Sequence, residues 1–389
     1  METIDNNPNL PWNWNYGVSQ NKNLTIEIIE KYIDKNWNWH YISYNKNITL
    51  EFIEKHIDKN WDWYAISKNA NITIDFINKH SDKPWNWYNI SCNPAITTDI
   101  IEKYMNKILW HGIIKKLYKT KTRNWHNIYK NINLRWNWYG VSLNPNITID
   151  FIKKYINKPW NWELISINSA ITLDIIENNP DLPWEWYQGI SFNPNLTMEF
   201  IEKHIDKDWC WECLSDNSII TIDFIKKYIN KNWNWKKISS NSIITMNIIE
   251  TNINLPWVWY NGISNNINLT MEFIEKHANK HWNWNRISEN PGITIDVIKK
   301  YLDKPWCWDY VCKNPSITMN MIKKFPNKYK KWNGVSWNPN LSLEFINKYK
   351  DKPFDWGIII NSEYIIIDNF DINKKYTSKE WIIISKFIN

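Results

Sequence analysis

Glycine is scarce in this chain, 8 of 389 residues, which leaves no phosphate-cradling Gly-rich loop. Cysteine is scarcer still: five residues are too few and too scattered for a disulfide framework, and nothing in the opening METIDNNPNLPWNW has the pattern of a signal peptide. The expectation is a reducing compartment and no structural disulfides. No apolar run approaches the ~18 residues needed to span a bilayer, so a soluble, cytoplasmic protein without membrane contact is expected. No Ser/His/Asp set stands out, and the carboxylates sit beside lysines instead of forming the isolated pair that general acid/base chemistry needs. No enzyme and no cofactor are expected. Acidic residues are themselves missing from one stretch. Between Glu102 and Asp150 there are none, while Lys103, Lys107, Lys115, Lys116, Lys119, Lys121, Arg123, Lys130 and Arg135 supply nine positive charges, more than the net +7 of the whole chain.

What is abundant is tryptophan. Twelve Trp-x-Trp pairs begin at Trp12, Trp37, Trp61, Trp85, Trp136, Trp160, Trp184, Trp209, Trp233, Trp257, Trp282 and Trp306, so neighbours lie 24 or 25 residues apart except across one double-length gap. A fixed period of this size means one supersecondary unit stacked many times. The fold predicted is all-α, an α-solenoid of about 14 helix-turn-helix repeats. The array is placed at residues 1–356, with a degenerate repeat across 106–135, and residues 357–389 are expected to cap its last hydrophobic face.

The unit Trp85 to Lys107, WNWYNISCNPAITTDIIEKYMNK, gives the internal plan. Thr97 is a good helix N-cap and Asp99 falls in the first turn, where the helix dipole favours negative charge. In the sister unit Ile74, Phe76, Ile77 and His80 share one face, and Asp75, Asn78 and Lys79 the other. The plan is a short helix, a turn and a longer amphipathic helix. Acid and lysine pairs such as Glu51/Lys55, Asp75/Lys79, Glu199/Lys203 and Glu272/Lys276 fall at i,i+4 and are expected to form a solvated face. An Asn recurs two residues after each Ser of the turn, as at Asn45, Asn69, Asn93, Asn144, Asn193 and Asn290. Asn bonds local backbone, so a turn ladder is expected there.

The tryptophans are read as core: residues i and i+2 of a helical turn point roughly opposite ways, so one ring faces its own repeat and the other wedges against the next. His56, His80, His204 and His277 replace Tyr32, Tyr104, Tyr155, Tyr228 and Tyr301 of other repeats, which marks a packed aromatic slot. Cys210-x-x-Cys213 has the look of a zinc pair, yet Cys210 and Cys307 merely fill the middle of Trp-x-Trp four repeats apart, too far for one tetrahedral site. No metal is expected.

Segments such as VSLNPNITIDFI (Val141 to Ile152) and ISFNPNLTMEFI (Ile190 to Ile201) resemble the leucine-rich variant repeat. That resemblance implies alternating short and long helices stacked into a right-handed superhelix; the tryptophan pairs depart from it, so no functional site is carried over. Residue usage is also similar to tandem-repeat proteins of giant DNA viruses, which implies host-cell cytoplasm or the virion. The function expected is a non-catalytic scaffold with an extended surface for a protein partner. The alternative is nucleic-acid or acidic-partner binding by the basic aromatic segment 103–135, using Lys115, Lys116, Lys119, Lys121, Arg123, Trp125 and Lys130. Against it, the residue between the Ser and Asn positions, from Gln20 and Tyr44 to Glu289 and Trp337, mixes every chemistry, where a phosphate-tracking face would repeat Lys or Arg.

Overall fold

The structure, a computed structural model, describes residues 2–105, 136–324, 331–362, 365, 367 and 375–387. The described residues form an all-α tandem repeat with no β-strand. Two compact units are distinguished, residues 38–210 and a unit assembled from both chain ends, 1–37 with 211–389.

In many repeats the residue between the two tryptophans acts as N-cap: Asn161 Oδ1 accepts from Leu164 N at 2.8 Å and starts the helix Trp162–Ile167. The second helix starts on the expected Thr. Thr148 Oγ1 accepts from Phe151 N at 3.2 Å and caps Ile149–Lys154, with Asp150 in the first turn. The second helix is the longer in several repeats, six residues in Ile74–Lys79 against four in Trp63–Ile66, and equal to the first here, with six residues each. It stops because its C-cap carbonyl is claimed: Tyr155 O accepts from Lys158 N at 2.9 Å and from the Trp160 indole Nε1 at 2.9 Å. The same indole-to-carbonyl bond recurs at Trp12, Trp37, Trp61, Trp85, Trp184, Trp209, Trp233, Trp257, Trp282 and Trp306. A buried ring therefore also satisfies an orphan helix-end carbonyl.

Helices of six residues do not persist alone in water, so stacking holds them. The second Trp of one repeat meets the first Trp of the next edge to face, as in Trp138 on Trp160 at 4.8 Å and 83° and Trp259 on Trp282 at 5.4 Å and 87°. Phe151, Phe200, Phe224 and Phe273 add a ring beside Tyr155, His204, Tyr228 and His277, all within 5 Å. Histidine and tyrosine thus fill one packed slot.

A polar seam runs beside the rings. Ser142 Oγ donates to Trp138 O and accepts from Asn161 N of the following repeat at 3.0 Å. Asn144 Oδ1 accepts from Asn146 N at 2.9 Å, and its Nδ2 lies 2.9 Å from Ser91 O, 3.2 Å from Asn93 O and 2.9 Å from Ile96 O, all in the preceding layer. Asn93, Asn193 and Asn290 close their own turns and reach back in the same way, and Asn69 does so through Ile48 O; Asn45 Oδ1 accepts from Asn47 N. The turn ladder is thereby also an inter-repeat ladder.

On the outer face, lysine choice differs from the i,i+4 expectation. Lys79, Lys203 and Lys276 pair with Glu54, Glu177 and Glu250 of the preceding repeat. Each lysine stands in the last turn of its helix, from where the long side chain crosses to the neighbouring layer. These hydrogen bonds hold the three carboxyls below the usual range.

In unit 38–210 the repeat ending at Met105 and the one beginning at Trp136 are consecutive layers. Trp87 stacks on Trp136 at 6.1 Å, Asn137 N donates to Ser91 Oγ at 2.9 Å, and Lys154 pairs with Glu102. The degenerate repeat expected across 106–135 lies outside the described residues. In the other unit, the helix Ser378–Phe387 packs on Trp356–Asn361 and also on Val18–Gln20 of the first repeat.

Candidate functional site

Since rings, Ser and Asn are committed to stacking, a partner-specific surface must use positions the stack leaves free. Two exist in the first helix of each repeat: the residue after the second Trp, and the residue after the Ser. Where they lie four apart on one short helix, as Tyr139 and Leu143 do on Trp138–Leu143, they share a face; in repeats with an added Gly, as at Tyr187 and Phe192, they lie five apart. In unit 38–210 the first position runs His40, Tyr64, Tyr88, Tyr139, Glu163, Tyr187, and the second Tyr44, Lys68, Cys92, Leu143, Ile167, Phe192. In the unit of the chain ends they run Asn15, Glu212, Lys236, Tyr260, Asn285, Asp309, Asn333 and Gln20, Asp216, Ser240, Asn265, Glu289, Lys313, Trp337. The same backbone thus carries a mostly aromatic and apolar face in one unit and, in the other, a mostly charged and amide face in which Tyr260 and Trp337 are the exposed rings.

The aromatic face is exposed. Tyr44, Tyr64, Tyr139 and Phe192 keep 55%, 45%, 50% and 48% of their surface open to solvent. Neighbouring layers connect along it. The His40 ring lies 5.4 Å from Tyr44, and its Nδ1 is 2.9 Å from Asp62 Oδ2. Lys68 Nζ sits 4.4 Å over the Tyr64 ring, and Tyr88 lies 5.9 Å from Tyr139. Partial burial, with the Asp62 carboxylate adding to it, pushes the Tyr44 phenol up; burial also pushes up Tyr88. Burial raises the Cys92 thiol as well, so it is a poor nucleophile. Ring faces and neutral hydroxyls remain. That combination supplies large contact area with little rotamer entropy, as protein-recognition surfaces do.

The sequence-predicted residues Lys115, Lys116, Lys119, Lys121, Arg123, Trp125 and Lys130 lie outside the described residues. Around them the array is continuous, as Trp87 and Trp136 show. Cys210 and Cys213 are disulfide-bonded, whereas Cys92, Cys307 and Cys312 are in no disulfide. This corrects the expectation of a chain without disulfides. The reason is local: Cys210 takes the position before the helix Trp211–Leu214 and Cys213 the third position inside it, the pair that an Asn side chain and an amide link in other repeats. Cys312 fills a Ser position, its Sγ 3.5 Å from Lys331 N, and burial lifts its thiol to about 11.

Among the described residues no group of three or more His, Cys, Asp or Glu is placed to hold a metal, and no helix is long and apolar enough to cross a membrane. The aromatic segregation escaped sequence reasoning because the second position, read over all repeats, mixes every chemistry; only division by unit separates Tyr44 to Phe192 from Asp216 to Lys313. No family model matches the chain, and neither a curated protein nor a solved structure is similar to it.

Proposed function

We propose that this protein is a non-catalytic repeat scaffold that holds a protein partner on the short-helix face of residues 38–210. The observation that carries this reading is the concentration of exposed Tyr44, Tyr64, Tyr139, Tyr187 and Phe192 at positions that stacking leaves free. Stacking tolerates Glu212, Lys236 and Asn285 at the same place, so packing does not select the aromatics. The likeness to leucine-rich variant repeats and the cytoplasmic assignment, with host cell or virion as its setting, belong to the same reading. The test compares Tyr44→Ser/Tyr64→Ser/Tyr139→Ser with Tyr260→Ser/Trp337→Ser as baits in the native cell. Loss of the same partner from the first bait and retention by the second supports the face; equal recovery by both removes it.

A second reading keeps the basic segment. The segment 103–135 carries nine cations and no acid, the composition that suits an anionic partner, nucleic acid foremost. Nuclease treatment of half of each pull-down separates the two readings.

A further inference from the structure

The C-terminal helix Ser378–Phe387 reproduces, contact by contact, the first helix of a repeat. Ser385 Oγ donates to Trp381 O at 2.6 Å, as Ser239 Oγ does to Trp235 O at 2.6 Å. Asn13 N donates to Ser385 Oγ at 2.9 Å, as Val258 N does to Ser239 Oγ at 2.9 Å. Asn21 Nδ2 donates to Ser385 O at 3.2 Å, as Asn266 Nδ2 does to Ser239 O at 3.0 Å. Trp12 meets Trp381 edge to face at 5.2 Å and 83°, as Trp257 meets Trp235 at 5.6 Å and 89°. A Cβ on Gly17 would strike Ser385 Cβ, as one on Gly262 would strike Ser239 Cβ. Five contacts out of five match. The helix is closed at its start by a capping box, Thr377 N to Glu380 Oε2 at 2.6 Å and Glu380 N to Thr377 Oγ1 at 3.3 Å. It was expected to cover only the last repeat; it also stands where a layer before the first repeat would stand.

We propose that the leading face of the first repeat is a binding site for a short helix carrying Trp and Ser four residues apart, and that a second copy of this chain supplies that helix in exchange for the resident one. The site is head-to-tail: one surface at the start of the chain meets a different surface at its end. Exchange between copies keeps every contact, which is the condition under which swapping costs least. The tethered helix holds the site at low protein concentration, because an intramolecular partner acts at an effective concentration on the order of millimolar. This inference is independent of the partner face proposed above.

Complementation tests it. Full-length Trp381→Ala/Ser385→Val spoils the helix and keeps the site; full-length Gly17→Val keeps the helix and fills the site. Neither is expected to pair with itself, and an equimolar mixture is expected to give a 1:1 complex in sedimentation velocity. A labelled peptide of residues 375–389 is expected to bind the first variant roughly 100-fold tighter than the unaltered chain, whose site is occupied. Absence of a complex and of peptide binding, from variants with wild-type helical content, overturns the proposal. In the unaltered chain the Asn13 amide is expected to exchange as slowly as those of Asn234 and Val258, which donate to Ser215 and Ser239. Fast exchange at Asn13 alone overturns it whatever the variants do.

Discussion

Residues 38–210 and the unit of the chain ends are built from one bonding scheme and carry opposite surfaces. Asn144 in the first reaches Ser91, Asn93 and Ile96, and Asn266 in the second reaches Ser239, Asn241 and Ile244, with matching distances. At the free positions, Tyr64 and Phe192 stand against Lys236 and Glu289. In this fold the residues that make layers adhere and the residues that meet the outside world are separate sets, so either set is free to change without the other.

The separation predicts a steep contrast in stability. Replacing both Trp160 and Trp162 by Ala removes the indole on Tyr155 O and the ring on Trp184; buried Trp to Ala costs ~3 to 5 kcal/mol, which applies to Trp160 with a smaller part from half-buried Trp162, so a fall of several kcal/mol is expected in urea unfolding. A double mutant that unfolds like the wild type breaks the assignment of the rings to stacking. Next in size, Asn144→Ala and Asn266→Ala each remove a donor from three carbonyls, of which Ile96 O and Ile244 O keep Asn146 and Asn268, and are expected to cost ~1 to 3 kcal/mol, equally in the two units. An unequal cost breaks the claim of one shared scheme. The triple change Tyr44→Ser/Tyr64→Ser/Tyr139→Ser is expected to stay within about 0.5 kcal/mol per site while losing the partner; a large loss of stability makes the aromatic face structural after all.

Two smaller effects sharpen the contrast. If Lys115, Lys116, Lys119, Lys121 and Arg123 neutralise five phosphates of a single strand, log K against log salt is expected to slope by roughly −0.7 per contact, about −3.5 in all. Changing all five to Gln flattens that slope, and binding that is unchanged by the substitution returns the segment to a solvated insert. The inter-repeat pairs respond to acid. The Lys79, Lys154, Lys203 and Lys276 hydrogen bonds hold Glu54, Glu102, Glu177 and Glu250 below their ordinary 4.5. A depressed folded-state value means that the contribution is present above 4.5 and lost as pH falls through the lower, folded-state value. A small drop in melting temperature below that point is expected, and Glu54→Gln/Glu177→Gln is expected to diminish it.

The repeat, the Thr caps and the opposed ring pair were legible because each is set by neighbours within one period. Thr148 caps a helix three residues on, and Trp160 closes a helix five residues back. What sequence reasoning missed lies across layers. Asn144 bonding its own turn is visible in a window of a few residues, but its reach to Ser91 crosses the whole basic segment. Lys203 has a carboxylate at i−4 and another in the layer before, and only geometry decides for Glu177. The C-terminal helix carries a readable signal, Trp381 to Ser385 at the spacing of Trp235 to Ser239, and lacks the paired Trp, the Asn and the Thr that announce a repeat. The Cys210–Cys213 bond hides behind a residue type that elsewhere in the same position, at Cys307, stays free.

The indole bond at repeat starts such as Trp160 and Trp184 has a consequence for how such a chain changes length. Trp160 finishes the helix behind it and presents its ring to Trp138, the same two acts that Trp184 performs one period on. A gene-copying slip that adds or drops one whole period rejoins an unclosed helix end to an indole and one ring to another, so every seam is remade. A slip of a fraction of a period leaves a carbonyl without its indole in the midst of the stack. Inheritance by whole layers is therefore neutral to packing, and the chemistry of the seam acts as a proofreader of repeat length.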